Sequence, residues 1–122
     1  MANIRKGYAD TSGGQVHYHT VDGEGVPIVF LHQTASSGKM YYDVMERLEG
    51  RAMYAMDTPG FGGSFEADDM PSMPQYAAWL AEAIGSIGLT EYHLFGHHTG
   101  ACLAAEICSA YPERVKTCMM IG

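Results

Sequence analysis

The sequence predicts an α/β protein built on a mostly parallel sheet with helices on both faces. Three observations predict it. After two opening strand patterns, helix-like and strand-like segments alternate to the end of the chain. The run Pro27-Ile28-Val29-Phe30-Leu31 is apolar throughout, as a strand covered on both faces requires. Tyr92-His93-Leu94-Phe95 passes through Gly96 and Gly100 directly into an Ala-rich helical pattern, the layout of a sharp strand-to-helix turn.

Taken in order, residues 5–23 read as two strands joined at Ser12-Gly13-Gly14. The second, Gln15 to Val21, alternates polar and apolar as a half-buried strand does, which puts His17 and His19 together on one face. Two histidines so spaced suit a metal, but no third ligand is evident, and a solvated face near the sheet edge is the expected setting. Gly23-Glu24-Gly25 turns the chain into the apolar strand 27–31. His32-Gln33-Thr34-Ala35-Ser36-Ser37-Gly38 is then a loop of small hydrogen-bonding residues, where Ser36 or Ser37 can cap the following helix. In that helix Met40, Tyr41, Val44, Met45 and Leu48 predict one buried stripe, and Glu49-Gly50 ends it.

Arg51 to Met56 is the next strand, followed by the loop Asp57-Thr58-Pro59-Gly60-Phe61-Gly62-Gly63-Ser64. Its glycines do not make a dinucleotide fingerprint, because the acidic stretch Glu66 to Pro71 separates them from any helix. No phosphate-loop pattern is present. Ser72-Met73-Pro74-Gln75 reads as a capping box opening a helix whose apolar face is Tyr76, Leu80, Ala83, Ile84 and Ile87, closed by Gly88. After the 92–95 strand comes a helix from about Gly100 to Tyr111 burying Leu103, Ala104, Ile107 and Cys108. Pro112-Glu113-Arg114 breaks it, and Val115 to Ile121 is a last strand.

Composition narrows the function classes. With 47% hydrophobic and 17% charged residues in 122, the chain suits one ordered domain. A net charge of -7 argues against nucleic acid or an anionic membrane as partner. No apolar run approaches a membrane span and the N-terminus lacks a secretory pattern. Cys102, Cys108 and Cys118 form no C-x-x-C pair and read as reduced core residues, which places the protein in the cytoplasm.

The chemistry-bearing stretch is Gly96-His97-His98-Thr99-Gly100. A turn of this kind exposes the residue between its glycines at the strand's end, where a nucleophile elbow carries Ser, Cys or Asp. Here that residue is His98, so the pattern departs from G-x-S-x-G. An ordinary turn histidine is the bland alternative.

Along its whole length the chain resembles the N-terminal half of the α/β-hydrolase fold. The resemblance rests on the strand ending in Leu31-His32, the Asp57 to Ser64 loop, the Gly96 to Gly100 elbow, and Tyr111-Pro112-Glu113-Arg114-Val115, in that family's order and spacings. It is closest to the branch of esterases, epoxide hydrolases, haloalkane dehalogenases and carbon–carbon bond hydrolases. It implies a strand order 1-2-4-3-5-6 with the second strand antiparallel, and residues 1–122 as the portion carrying strands one to six. It also implies that the backbone amides of Thr34 and Thr99 form an oxyanion hole. Gln33 stands where the family has glycine, and His98 where it has the nucleophile; the His-Gln-Thr and Gly-His-His-Thr-Gly pairing resembles a subgroup with one modified site. By the same resemblance, His98 is nucleophile or general base and Phe61 meets substrate, while the Gln33 amide either orients substrate or water or stabilises its loop by a hydrogen bond. His32, His97 and Asp57 hold loops, and His97 and His98 point apart rather than forming a pair. No metal or cofactor is implied.

The acid and histidine that complete the family's site follow later strands, which these 122 residues do not contain. Two readings therefore stand. One is a hydrolase-like enzyme acting on a small ester, amide or activated carbonyl compound. The other is a non-catalytic binding or interaction protein on the same fold. In either case the resemblance leaves Val115 to Ile121 as an unpaired edge and the face under residues 39–48 thinly covered. A partner chain carrying the rest of the fold, or a homo-oligomer, is expected there.

Overall fold

The computed structural model describes residues 3–48 and 50–122. A hairpin opens it, with β1 (Arg5–Asp10) and β2 (Gln15–Val21) antiparallel in register from Arg5 opposite Thr20 to Asp10 opposite Gln15. β3 (Glu24–Leu31) follows, then a 3-10 turn (Gly38–Tyr41) running into α1 (Tyr42–Arg47), and β4 (Arg51–Met56). α2 (Met73–Ser86), β5 (Tyr92–His97), α3 (Thr99–Ala110) and β6 (Val115–Ile121) complete the chain. The strands form one six-stranded sheet in the order β1-β2-β4-β3-β5-β6. β2 is antiparallel to both β1 and β4, and the remaining pairs are parallel. That is the order and polarity that the resemblance to the α/β-hydrolase fold implies.

The sheet has two cores. On one face α2 and α3 bury Leu80, Ile84, Leu103 and Ile107 against Val16, Leu31 and Leu94. On the other, Tyr41 and Met45 pack on Phe30, Met53 and Ala55. Ser72 caps α2 by accepting the Gln75 amide, and Gly88 at φ 93° closes its C-terminal end. Ser37 caps the 3-10 turn through the Lys39 amide.

Four expectations are corrected here. β2 does not alternate: His17, His19, Val16 and Val21 are all buried, because α2 lies over one face and the 3-10 turn over the other. The helix over residues 40–48 buries only Tyr41 and Met45, while Met40, Val44 and Leu48 are exposed. A 3-10 turn repeats every three residues, so the 3.6-residue stripe drifts off the sheet. β3 begins at Glu24, paired with Arg51, and an irregularity before Ile28 accommodates Pro27, which has no amide to give the ladder. The cysteines are free, and Cys102 is not core: it is exposed, whereas Cys108 and Cys118 are half-buried and pack against the α2/α3 core. The predicted helix end at Glu49 lies outside the described residues. None of the described helices is long and apolar enough to cross a membrane.

Candidate active site

Three loops at the C-terminal ends of the parallel strands meet above the sheet: the one after β3, the one after β4, and the turn between β5 and α3. The last is built by close approach. A side chain at Gly96 would put its Cβ 2.2 Å from the Gly100 carbonyl oxygen, and one at Gly100 would sit 2.2 Å from that of Leu31. Only glycines let α3 start this near to β3 and β5. The residue between them carries the strain. His98 has φ 54° and ψ −115°, outside the regions ordinary residues occupy, and its side chain is exposed. Its amide donates to Ile121 (2.9 Å), so the β5–β6 ladder runs up to the turn itself. His98 is thus at the end of an inner strand, and α3 begins at the next residue.

His98 lines an open cleft with Gln33, Thr34, Thr99 and Cys102. Phe61 lines a different, adjoining cavity of about 260 Å³ with Gln33, Thr34, Thr99, Met73, Tyr76 and Leu103. Of the residues expected around His98, Gln33, Thr34 and Thr99 are therefore beside it, and Phe61 is one chamber away. Between the two chambers the Thr34 amide donates to the Thr99 hydroxyl (2.7 Å), and the two threonine hydroxyls lie 2.5 Å apart. The Thr34 amide does not point into empty space; it is already bonded. The Thr99 amide, first in α3, has no acceptor within the helix.

His32 holds two loops at once. Its Nε2 accepts the Thr58 amide (2.9 Å), which leaves Nδ1–H to donate to the Gln33 carbonyl (2.7 Å). The ring is buried, and burial pushes its pKa down despite the opposing pull of the Gln33 carbonyl and the Asp57 charge. Phe61 stands edge-on to it at 5.7 Å.

The expectation for His97 is corrected. Its Nδ1 is buried without a hydrogen-bond partner among the described residues, so it ties down no loop. Its ring meets that of His98 edge-to-face with centroids 4.3 Å apart, so the two do form a pair.

Asp57 has a larger role than loop-holding. It is 1% exposed and accepts four bonds: from His17 Nδ1 (2.9 Å), His19 Nε2 (3.0 Å), and the amides of Gly38 (2.7 Å) and Gly63 (3.0 Å). His19 Nδ1 lies 2.7 Å from the Tyr42 hydroxyl. Burial alone would raise the Asp57 pKa, but the bonds from His19, Gly63, Gly38 and His17 outweigh it and hold the carboxyl well below the usual carboxylate range. So the His17/His19 face is not solvated, and the third metal-type ligand absent from the local sequence is supplied by Asp57. Donor atoms of the three lie within 4.8 Å of one another. They are, however, bonded to each other, and both carboxylate oxygens are also taken by backbone amides. The cluster reads as a structural knot tying β2 to the loops after β3 and β4. The sequence signal for it was the H-x-H pair, misassigned to the outer face.

The model of the family described as the alpha/beta hydrolase fold matches residues 26–122. Among curated proteins, the pimeloyl-[acyl-carrier protein] methyl ester esterase of Aeromonas hydrophila is 30% identical over 82% of this chain and 39% of its own length. A proline iminopeptidase of Heyndrickxia coagulans is 29% identical over 92% of the chain and 41% of its own length. Among solved structures, an N-acyl homoserine lactonase, AidH, superposes with a TM-score of 0.89 at 29% identity, covering 97% of this chain and 44% of the lactonase. An epoxide hydrolase from Vigna radiata shares the fold at a TM-score of 0.90 and 21% identity. The chain spans about two fifths of the length of the curated relatives it matches, 39% and 41% in these two. It belongs to the alpha/beta hydrolase fold family.

Proposed function

We propose that this chain carries the elbow and oxyanion-loop half of a hydrolase. In this reading the hydrolase cleaves a small ester, amide or activated carbonyl compound, with His98 as nucleophile or general base. One observation carries the reading: an exposed imidazole held in strained backbone geometry at the tip of a strand-to-helix turn, facing a cleft. Strain of 1–3 kcal/mol, about that expected for such a residue, persists where the surroundings over-determine it, and such residues cluster at active sites. Imidazole attacks an activated carbonyl and expels the alcohol or amine, giving a labile acyl-imidazole that water hydrolyses, or it takes a proton from the water that attacks the carbonyl directly. The Thr99 amide, at the positive end of α3, and the Thr34 amide would face the developing oxyanion. The esterase and lactonase among the relatives support the carbonyl-ester class. The groups that orient His98, and cover for the β6 edge, would come from polypeptide beyond these 122 residues or from a partner chain.

A second reading, a binding protein that keeps the fold without turnover, is favoured by one observation: the His98 ring meets the edge of its neighbour's ring, His97, rather than a carboxylate that would orient it. Hydrolysis of p-nitrophenyl acetate by the assembled protein separates the two. Loss of kcat/KM by about a thousandfold or more in His98→Ala, with His98→Ser retaining part of it, is the enzyme outcome. Equal rates in wild type and His98→Ala select the binding protein.

A further inference from the structure

Two chambers meet at one pair of threonines joined by a hydrogen bond. The cavity on one side is about 260 Å³ and largely apolar, walled by Phe61, Met73, Tyr76 and Leu103. The cleft on the other holds His98. Gln33, Thr34 and Thr99 line both, so these three form the partition. The partition is closed by the Thr99 hydroxyl, which accepts the Thr34 amide at 2.7 Å and lies 2.5 Å from the Thr34 hydroxyl.

We propose that Thr99 is a positioning residue that gates this site. Its hydroxyl keeps the Thr34 amide occupied until a short, unbranched acyl group enters the apolar cavity, whose carbonyl oxygen then displaces the hydroxyl and takes the amide. The proposal rests on the functional reading above for what happens next at His98, but not for the gate itself.

Three physical points support it. The bond is weak enough to exchange: a neutral, exposed hydrogen bond changes an equilibrium by roughly three- to tenfold. A carbonyl oxygen that gains charge makes a stronger bond to the same amide than a neutral hydroxyl does. Thr99 is also the first residue of α3, with no preceding helical turn to restrict its side chain, so rotation about χ1 need not disturb the helix. Once the hydroxyl leaves, the Thr34 amide and the acceptor-free Thr99 amide are both available to one oxygen. Bonded as it stands, the Thr34 amide rewards only a ligand whose apolar end fills the cavity. A ligand too small to reach Phe61 and Leu103 gains nothing to offset the exchange. The gate therefore selects acyl length as well as holding the amide.

The test is an amide-resolved nuclear magnetic resonance titration of the assembled protein with sodium butyrate and sodium acetate. The proteins compared are wild type, Thr99→Val and Thr99→Ser. Thr99→Val keeps the shape and removes the acceptor. It should move the Thr34 amide resonance and tighten butyrate binding roughly three- to tenfold. Thr99→Ser should behave as wild type, and acetate should bind more weakly than butyrate in all three proteins. If Thr99→Val proves unstable, Thr99→Ala tests the same point. The readouts are a resonance and a binding constant, not turnover, so failure of the catalytic reading would not touch this result. An unmoved Thr34 resonance with unchanged butyrate affinity in Thr99→Val overturns the gate. So do butyrate-induced shifts that spare Phe61 and Leu103.

Discussion

Asp57 accepts bonds from two histidines and two backbone amides while 1% exposed, so one carboxylate sets the positions of three segments around the site. Asp57→Asn removes the charge and leaves donors badly matched; it should lower stability by about 2–3 kcal/mol, measurable by urea denaturation at neutral pH. The pH dependence has a fixed sign. Because the folded-state pKa is depressed, the stabilisation is complete above the unfolded value of about 3.9 and is lost as pH falls below it. Wild type should lose melting temperature steeply below pH 4, and Asp57→Asn much less. His32 acts at higher pH. Its pKa is lowered by burial, so the unfolded chain binds the proton more readily. The contribution is present above about 6.5 and lost as pH falls through that value. Replacing it by glutamine should lower the melting temperature at pH 7.5 and flatten its decline between pH 7 and pH 5. Neither role was visible locally. His17 and His19 face inward only because elements far along the chain cover both sides of β2, which a period-two pattern does not record.

At the scale of elements, the turn between β5 and α3 was legible because it is written in glycines whose neighbours are backbone atoms. Gly96→Ala would press a methyl group 2.2 Å from the Gly100 carbonyl oxygen, which cannot step aside without moving α3. The variant should lose more than about 2 kcal/mol of stability in urea denaturation. If it does not, the turn is looser than its geometry indicates. By contrast Ser72→Ala, which removes an exposed cap from α2, should cost about 1 kcal/mol in the same assay and leave ligand binding unchanged. Both long helices and the β4 and β6 strands were readable from the alternation of apolar periods, whereas the sheet order followed only from the resemblance to the α/β-hydrolase fold. The helix over residues 40–48 was not, since its pattern fits an α-helix while the chain adopts a 3-10 turn first. The hydroxyl of Thr99 on the Thr34 amide was also invisible, because residues 65 positions apart make that bond.

For the molecule as a whole, the sheet ends on β6, where Met119, Met120 and Ile121 are 59%, 54% and 42% exposed. Met40 on the 3-10 turn, Val44 on α1 and Leu48 at its C-terminal end are exposed too. Together with a strand edge that has unused amides, this apolar surface favours pairing with more polypeptide. Sedimentation of the isolated 122-residue chain at micromolar concentration should show self-association. A monodisperse, cooperatively melting monomer that binds no hydrophobic dye would contradict that. As proposed, a carbonyl compound would meet His98 in the cleft beside Thr34 and Thr99. Fluorine magnetic resonance of the assembled protein with 1,1,1-trifluoro-2-butanone, an electrophilic ketone, addresses it directly. The account predicts a distinct bound signal, from an adduct or a held hydrate, in wild type and its loss in His98→Ala. The same bound signal in both proteins would contradict it.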